Sequence, residues 1–324
     1  MLRTLNRRLN TAMPLITPTS ILIGVLIGTS LSEYTELSPW LFAFMTFAGS
    51  ISMGFKDFVH VIKHPGPLIA CLFILHLAMP LLAMMLGHLA FGDDPYTITG
   101  LILGAAIPTG ISSFVWVNIY KGNTALTLAI ILIDTILAPF AVPGIMSLLV
   151  GADVQLDTWA MMQSLFWMIV VPSLIGMVLN EWTKGKIKQV WGPRLGPFSK
   201  LAMALVVMIN GSVIAPYLVD FNLKLVGVCL SIIILASTGY AIGYLISGLM
   251  RWNNADRTAL VFNGGMRNIS AGAVLAITYF PAPVALPVVL GMIFQQSTAS
   301  LVGFLLSRRD RGKTKEKHST ASAS

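Results

Sequence analysis

The sequence predicts an all-α polytopic membrane protein, and three observations support this fold class. Of the 324 residues, 56% are hydrophobic and only 10% are charged, whereas soluble domains average roughly 25% charged residues. The hydrophobic residues form blocks of about 20 residues, the length that crosses roughly 30 Å of hydrocarbon as a helix. No alternation of period two runs through these blocks, so helices are expected rather than barrel strands. The same composition excludes soluble, disordered and fibrous proteins.

Ten such blocks fall into two sets of five with similar lengths. The first set covers about 14–32, 38–55, 66–91, 97–119 and 124–150, and the second covers about 158–180, 200–219, 224–249, 257–279 and 284–306. Because five is odd, homologous halves would insert with opposite orientation. We therefore expect ten transmembrane helices arranged as a five-plus-five inverted repeat, with repeats at about 14–150 and 158–306.

The positions of the basic residues predict the orientation. All Lys and Arg residues lie on one side of the predicted membrane, except Lys224 on the other side and Arg267 within a span. Because cytoplasmic connections are enriched in basic residues, both termini are predicted to be cytoplasmic, in a cell membrane. Residues 1–13 would be a cytoplasmic N-terminus and 307–324 a basic, unfolded cytoplasmic tail. The formal charge of +8 therefore indicates topology and no nucleic-acid partner.

Spans four and nine contain clusters that are poor helix formers. The clusters are Pro108, Thr109, Gly110, Ser112 and Ser113 in span four, and Asn263, Gly264, Met266, Arg267 and Asn268 in span nine. Pro and Gly weaken a helix interior, and paired interruptions at mid-membrane are typical of transporter binding sites, where half-helix ends face anions and freed carbonyls bind cations. Close packing of helices by small residues is the alternative, which we favour for isolated glycines such as Gly104.

Asp134 and Arg267 are the strongly charged residues that lie well inside predicted spans. Each costs roughly 2.5–3.5 kcal/mol at a helix centre, and an ion pair would relieve both. Asp134 shares a helix face with Thr127 at i and i+7. We therefore expect Asp134 and Arg267 to meet near the two interruptions, either as functional groups or as a static pair that fixes helix packing.

Three uncharged or weakly basic side chains within spans carry weaker signals. His76 and His88 have no partner at ligand spacing and are expected to pack between helices. Gln295 is expected either to line a polar cavity or to bond a neighbouring helix, and the sequence does not separate these roles.

The chain resembles the bile acid:sodium symporter family over roughly residues 14–306. The most specific matches are the Lys-Gly-Asn-x-Ala-Leu turn at 121–126 and Gly-Met-Arg-Asn at 265–268, supported by Pro108-x-Gly110 and Pro139. The resemblance implies a core domain of helices 3–5 and 8–10, in which the broken helices four and nine cross, and a panel domain of helices 1, 2, 6 and 7. It also implies uptake of organic anions, with sodium held by helices four, five and nine.

The positions that match the family's sodium ligands depart from its pattern. By the resemblance they are Ser113, Phe114, Thr127, Ile131, Asn263, Gly264, Met266 and Arg267. An asparagine, a hydroxyl residue, a carboxylate and a glutamine of the family are replaced here by Phe114, Ile131, Asn263 and Arg267. Because sodium needs oxygen ligands and arginine is a fixed cation, we expect at least one sodium site to be absent. Ser113, Thr127 and Asn263 would form a residual sodium site.

The sequence therefore predicts a secondary transporter that moves a small organic anion by alternating access. The coupling ion stays open: sodium, a proton on Asp134, or neither, with Arg267 holding a substrate carboxylate in a uniporter or exchanger. A membrane sensor that binds the ligand without moving it is an alternative. An enzyme or an ATP-driven pump is disfavoured, since neither a catalytic motif nor a phosphate-binding loop occurs. Beyond a coupling ion no cofactor is expected; the partners are the anion and the bilayer, and the oligomeric state is open.

Overall fold

The computed structural model describes residues 16–54, 65–92, 94–150, 154, 156–218 and 222–321, with side chains up to 308. The described part of the chain is helical, with no β-strand. The α-helices are α1 (Ile16–Ile27), α2 (Ser38–Ser50), α3 (Gly66–Phe91), α4 (Pro95–Ala106), α5 (Ser112–Ile119), α6 (Thr124–Leu149), α7 (Thr158–Trp182), α8 (Lys186–Val190), α9 (Gly192–Leu218), α10 (Leu223–Leu249), α11 (Asn254–Gly265), α12 (Ile269–Tyr279) and α13 (Ala285–Ala321). Short 3₁₀ segments, Gly28–Leu37 and Ala282–Val284, precede α2 and α13.

Seven stretches of the described chain are long and apolar enough to cross a membrane. They are α3, α6, α7, α9, α10, the pair α11–α12 (Asn254–Tyr279), and Ala282–Arg308. The prediction of a polytopic helical membrane protein is confirmed. The other three predicted spans correspond to shorter helices: α1, α2, and the pair α4–α5, which is interrupted at 107–111.

Two helix boundaries differ from the predicted spans. Helix α9 begins at Gly192, before the predicted start at 200, and Pro193 lies in its first turn, where a missing N–H is tolerated. Helix α13 continues along the backbone to Ala321, so the expectation of an unfolded tail after 306 is wrong. The tail contains three arginines, three lysines and one glutamate, which favour helix, and no proline.

Helices α3 and α7 each contain one wide π-helical turn, at Ile74–Ala78 and Phe166–Val170. In each case a proline, Pro80 or Pro172, follows the turn. Proline lacks an N–H group, and its ring clashes with the carbonyl four residues earlier, so the preceding turn widens. In α3 that carbonyl belongs to His76, which places this histidine in the widened turn.

Polar contacts at the helix ends join connections that the charge pattern assigns to the same side. The Lys224 Nζ and Asp94 Oδ2 atoms lie 2.7 Å apart, which joins the connections that precede α10 and α4. Asn123 Nδ2 donates to Asp256 Oδ1 at 2.7 Å, which joins those that precede α6 and α11. Burial raises the pKa of Asp94, but hydrogen bonds from Lys224 and Thr97 outweigh it and hold that pKa below its usual value.

Close backbone contacts group α1, α2, α7 and α9 on one part of the molecule. A Cβ atom on Gly24 of α1 would lie 2.1 Å from the Met208 carbonyl oxygen of α9, and one on Gly176 of α7 would lie 2.9 Å from Ser50 Cβ of α2. Small residues allow such approach between membrane helices, where packing rather than the hydrophobic effect drives association. Helices α3–α6 and α10–α13 pack mainly on one another.

A bulkier residue at Gly24 tests the contact between α1 and α9. We expect Gly24→Val to destabilise the protein by roughly 1–3 kcal/mol, because the added methyl groups force the two backbones apart. Thermal unfolding of the detergent-solubilised protein measures this effect. Gly248→Ala is the control, because a Cβ there has no neighbour within 4 Å among the described residues; an equal loss in both variants would contradict the contact.

Candidate functional site

The two predicted interruptions lie against each other. The first break joins α4 to α5 and the second joins α11 to α12. Asn268 N–H donates to the Pro108 carbonyl at 2.7 Å, and Thr109 Oγ1 donates to the Met266 carbonyl at 3.1 Å. A Cβ on Gly110 would lie 2.9 Å from the carbonyl oxygen of Arg267, so glycine allows this approach. The prediction that both polar clusters break their helices is confirmed.

The guanidinium of Arg267 lies at the C-terminal ends of α4 and α11. Its Nε donates to the Ala105 carbonyl at 3.0 Å and its Nη1 donates to the Gly264 carbonyl at 2.9 Å. Carbonyls in the last turn of a helix lack intrahelical partners and carry the negative end of the helix dipole. The side chain is only 6% exposed, so this cation is held where two helix ends attract positive charge.

Gln295 of α13 fixes the backbone of Arg267. Its Oε1 accepts from the Arg267 N–H at 2.9 Å, and its Nε2 donates to the Arg267 carbonyl at 3.0 Å. These two hydrogen bonds satisfy the backbone N–H and C=O groups of Arg267, which the second break leaves without helical partners. No hydrogen bond from Arg267 Nη2 is found among the described residues.

A pocket of about 580 Å³, which includes its open mouth, lies beside Arg267. Its polar lining side chains are Arg267 and Gln295, and the remaining walls are glycine and apolar residues of α3, α4, α10 and α13 such as Gly104, Leu235 and Val288. Gln295 thus bonds a neighbouring helix break, and it lines a pocket that is largely apolar rather than the polar cavity of the first alternative.

Asp134 is fully buried in α6 and bonds the first break. Its Oδ2 accepts from the Thr109 N–H at 2.6 Å, and its Oδ1 lies 2.6 Å from Nε2 of His76. The break frees the Thr109 N–H, and the carboxylate replaces the lost helical acceptor.

Asp134 and Arg267 both lie at the two breaks, as expected, but no ion pair joins them among the described residues. The wide turn of α3 brings His76 to the carboxylate, whereas helix-end carbonyls take up two of the arginine nitrogens. His76 packs between helices as expected and in addition bonds Asp134, a partner that the residue spacing did not indicate, whereas His88 is exposed. Pro80 is the sequence feature that could have indicated the role of His76. A proline widens the helix around the carbonyl four residues earlier, and here that carbonyl belongs to His76.

The three residues of the predicted residual sodium site lie together. Ser113 Oγ donates to Asn263 Oδ1 at 2.9 Å, and Asn263 Nδ2 donates to Thr127 Oγ1 at 3.0 Å. Asn263 Nδ2 also donates to the Ala259 carbonyl at 2.8 Å. The described geometry is thus a neutral hydrogen-bond network, in which an amide N–H occupies a direction that a cation ligand would need.

Other predicted residues act through the backbone or lie at the edge of the site. Pro108, Gly264 and Met266 contribute carbonyl acceptors. The Asn268 side chain caps α12 by accepting from the Ala271 N–H at 3.4 Å. Ser112 opens α5, and no side-chain hydrogen bond links it to the second break within the described chain.

Comparison with known proteins agrees with this architecture. The model of the SBF-like CPA transporter family (DUF4137) matches residues 32–311. The uncharacterized protein YbaS of Bacillus subtilis (strain 168) is 50% identical over 296 residues, which are 91% of this chain and 97% of that protein. The uncharacterized sodium-dependent transporter YocS of the same organism is 25% identical over 305 residues, 90% of this chain and 91% of that protein. The probable sodium/metabolite cotransporter BASS1, chloroplastic, of Oryza sativa subsp. japonica is 26% identical over 267 residues, 81% of this chain and 64% of that protein.

The family resemblance in the sequence is therefore confirmed, and an enzymatic role is excluded in favour of membrane transport. The chain belongs to the SBF-like CPA transporter family, within the bile acid:sodium symporters.

Proposed function

We propose that this protein is a secondary transporter that moves a small organic anion by alternating access, with Arg267 as its anion-binding group. The observation that supports the proposal most directly is a buried guanidinium beside a largely apolar pocket. A buried arginine within a membrane protein is costly and therefore marks a functional site by default. Its free Nη2 is a charge-assisted donor for a carboxylate, and the apolar walls suit the body of the same molecule.

The proposed architecture has ten spans in an inverted repeat, in which α1, α2, α7 and α9 form the panel and the other membrane-spanning helices form the core. The paired breaks and the separate packing of these two groups support it. We further propose a cytoplasmic membrane location with both termini inside, supported by the one-sided basic residues. The contacts Asp94–Lys224 and Asn123–Asp256 agree with the connections assigned to each side.

We propose that this chain lacks the complete set of sodium ligands and that its ion coupling therefore differs from that of a sodium symporter. Two relatives have sodium in their names. Here Arg267 provides a permanent positive charge between helix-end carbonyls of the kind that bind cations. At least one sodium position is therefore replaced by this guanidinium, and Ser113, Thr127 and Asn263 are what remains of a second.

Adjacent glutamines in α13 test the proposed anion site. Purified protein in liposomes would be assayed with radiolabelled 2-hydroxybutyrate, isovalerate, benzoate and succinate, with protein-free liposomes as background. We expect saturable uptake of at least one carboxylate. Gln295→Leu should raise its KM by about tenfold, because the loss of hydrogen bonds of this kind misplaces the guanidinium.

Gln296→Leu is the matched control, because Gln296 accepts a bond from Trp116 and does not line the pocket. Arg267→Lys keeps the charge and loses the fork of donors, and it should weaken binding in a thermal-shift assay with the same carboxylate. Binding without uptake in the wild-type protein would contradict transport and favour a ligand sensor. Equal uptake by both glutamine variants would contradict the site.

Asn263→Asp tests the altered cation position. We expect the wild-type protein to unfold at the same temperature in sodium and in choline chloride at equal ionic strength. In Asn263→Asp the carboxylate joins the oxygens of Ser113 and Thr127, so sodium should become stabilising. Asn222→Asp is the control, because Asn222 is an exposed helix cap and either residue serves as a cap. A sodium-dependent shift already present in the wild-type protein would contradict the loss of sodium sites.

A further inference from the structure

The pair His76–Asp134 forms a second ionisable site next to Arg267. The Nε2–Oδ1 distance is 2.6 Å, and the side chains are 16% and 0% exposed, respectively. The imidazole is thus the partly exposed member of the pair. Because the other carboxylate oxygen accepts from the Thr109 N–H, each oxygen of Asp134 has a hydrogen-bond partner.

One atom of this site has no partner. His76 Nδ1 is buried, and no hydrogen bond to it is found in the described part of the chain. With Asp134 ionised, Nε2–H donates to the carboxylate and Nδ1 carries an unused lone pair. A proton that enters the site therefore binds at Nδ1, and it leaves from the same atom.

The charged and titratable groups around the pair are few. Among the described residues, Cys71 of α3 and Arg267 of the second break interact electrostatically with Asp134, and Tyr240 of α10 faces Arg267. Cys71 and Tyr240 are buried neutral groups. The fixed charges are thus one guanidinium and one carboxylate, which sum to zero while His76 is neutral.

This arithmetic limits what the site carries. A proton on His76 brings the net charge to plus one, and a monovalent anion at Arg267 returns it to zero. Since unbalanced charge within a membrane is costly, two states are favoured: the empty site, and the site with one proton and one monovalent anion.

The two halves of this charge balance are linked through the breaks. Asp134 holds the Thr109 N–H, and Thr109 Oγ1 holds the carbonyl of Met266, the residue before Arg267. When His76 is protonated, its positive charge offsets the negative charge of Asp134. The positive potential of Arg267 then attracts an incoming anion more strongly. We propose that His76, paired with Asp134, binds the coupling proton, and that the protein carries one proton with one monovalent carboxylate in an electroneutral symport. The symport rests on the proposed transport function, whereas proton binding at His76 does not.

The decisive experiment uses the liposomes described above, with an entrapped pH-sensitive dye. We expect a pH difference to drive accumulation of the transported carboxylate by up to about tenfold per pH unit, the limit for one proton per anion. A potassium diffusion potential set with valinomycin should leave uptake unchanged. Uptake that follows the potential, or that ignores the pH difference, would overturn the proposal while leaving transport intact.

Two histidines of α3 provide matched variants. His76→Gln should lose accumulation driven by the pH difference and also slow carboxylate exchange, because its anion-loaded site carries an unbalanced negative charge. A thermal unfolding transition like that of the wild type shows that the variant is folded. His88→Gln is the control, because His88 is exposed on the same helix, and it should behave as wild type. If His76→Gln accumulates carboxylate like the wild type, the assignment is wrong.

A readout without substrate separates the two proposals. The signal of His76 is the pH-jump infrared spectrum of the wild-type protein minus that of His76→Gln, because the other four histidines of the chain contribute to both spectra. This difference should contain an imidazole protonation band, and the band should remain when His88→Gln replaces the wild type. If no carboxylate is transported but this signal is found, proton binding at His76 stands and the transport function fails. If the signal is missing from the wild-type protein, the inference is overturned whatever the transport assay shows.

Discussion

The guanidinium of Arg267 offsets the negative partial charge of two helix ends that lie close together. Where α4 and α11 stop, their last carbonyls turn towards the same space, and both helix dipoles place negative potential there. Without a cation these ends would repel each other and leave buried acceptors without donors, at a cost of about 1–3 kcal/mol each. A covalently attached cation resolves this conflict permanently, whereas a bound metal ion resolves it only while it is bound.

The arrangement of the other polar residues follows from that fixed charge. Asp134 supplies the balancing negative charge without an ion pair to Arg267, and it is oriented by Thr109 and His76 instead. Ser113, Thr127 and Asn263 are uncharged and form hydrogen bonds with one another. A network without net charge is compatible with the positive charge of Arg267 nearby. Gln295 completes the site by occupying both backbone groups of Arg267.

Much of the site was predictable because polar and helix-breaking residues destabilise a membrane helix and are therefore conspicuous within a span. Pro108, Gly110 and the polar cluster around Arg267 stand out from their apolar surroundings, and both breaks occur where they were expected. The partner of Asp134 was not predictable by charge alone, because neutral and ionised histidine look identical in a sequence and Arg267 is the stronger charge. The detail that decided it is geometric: Pro80 opens a turn of α3, and neither hydropathy nor spacing encodes the direction in which His76 then points.

The hydrogen bonds between the two breaks also constrain motion. Asn268 is bonded to Pro108, Thr109 is bonded to Met266, and the backbone at Gly110 lies against that of Arg267. Helices α4, α5, α11 and α12 are thereby joined at the breaks, which favours their movement as one unit. In a transport cycle the hinges would then lie outside this unit, where its helices meet α1, α2, α7 and α9, so that the binding groups travel without changing their mutual geometry.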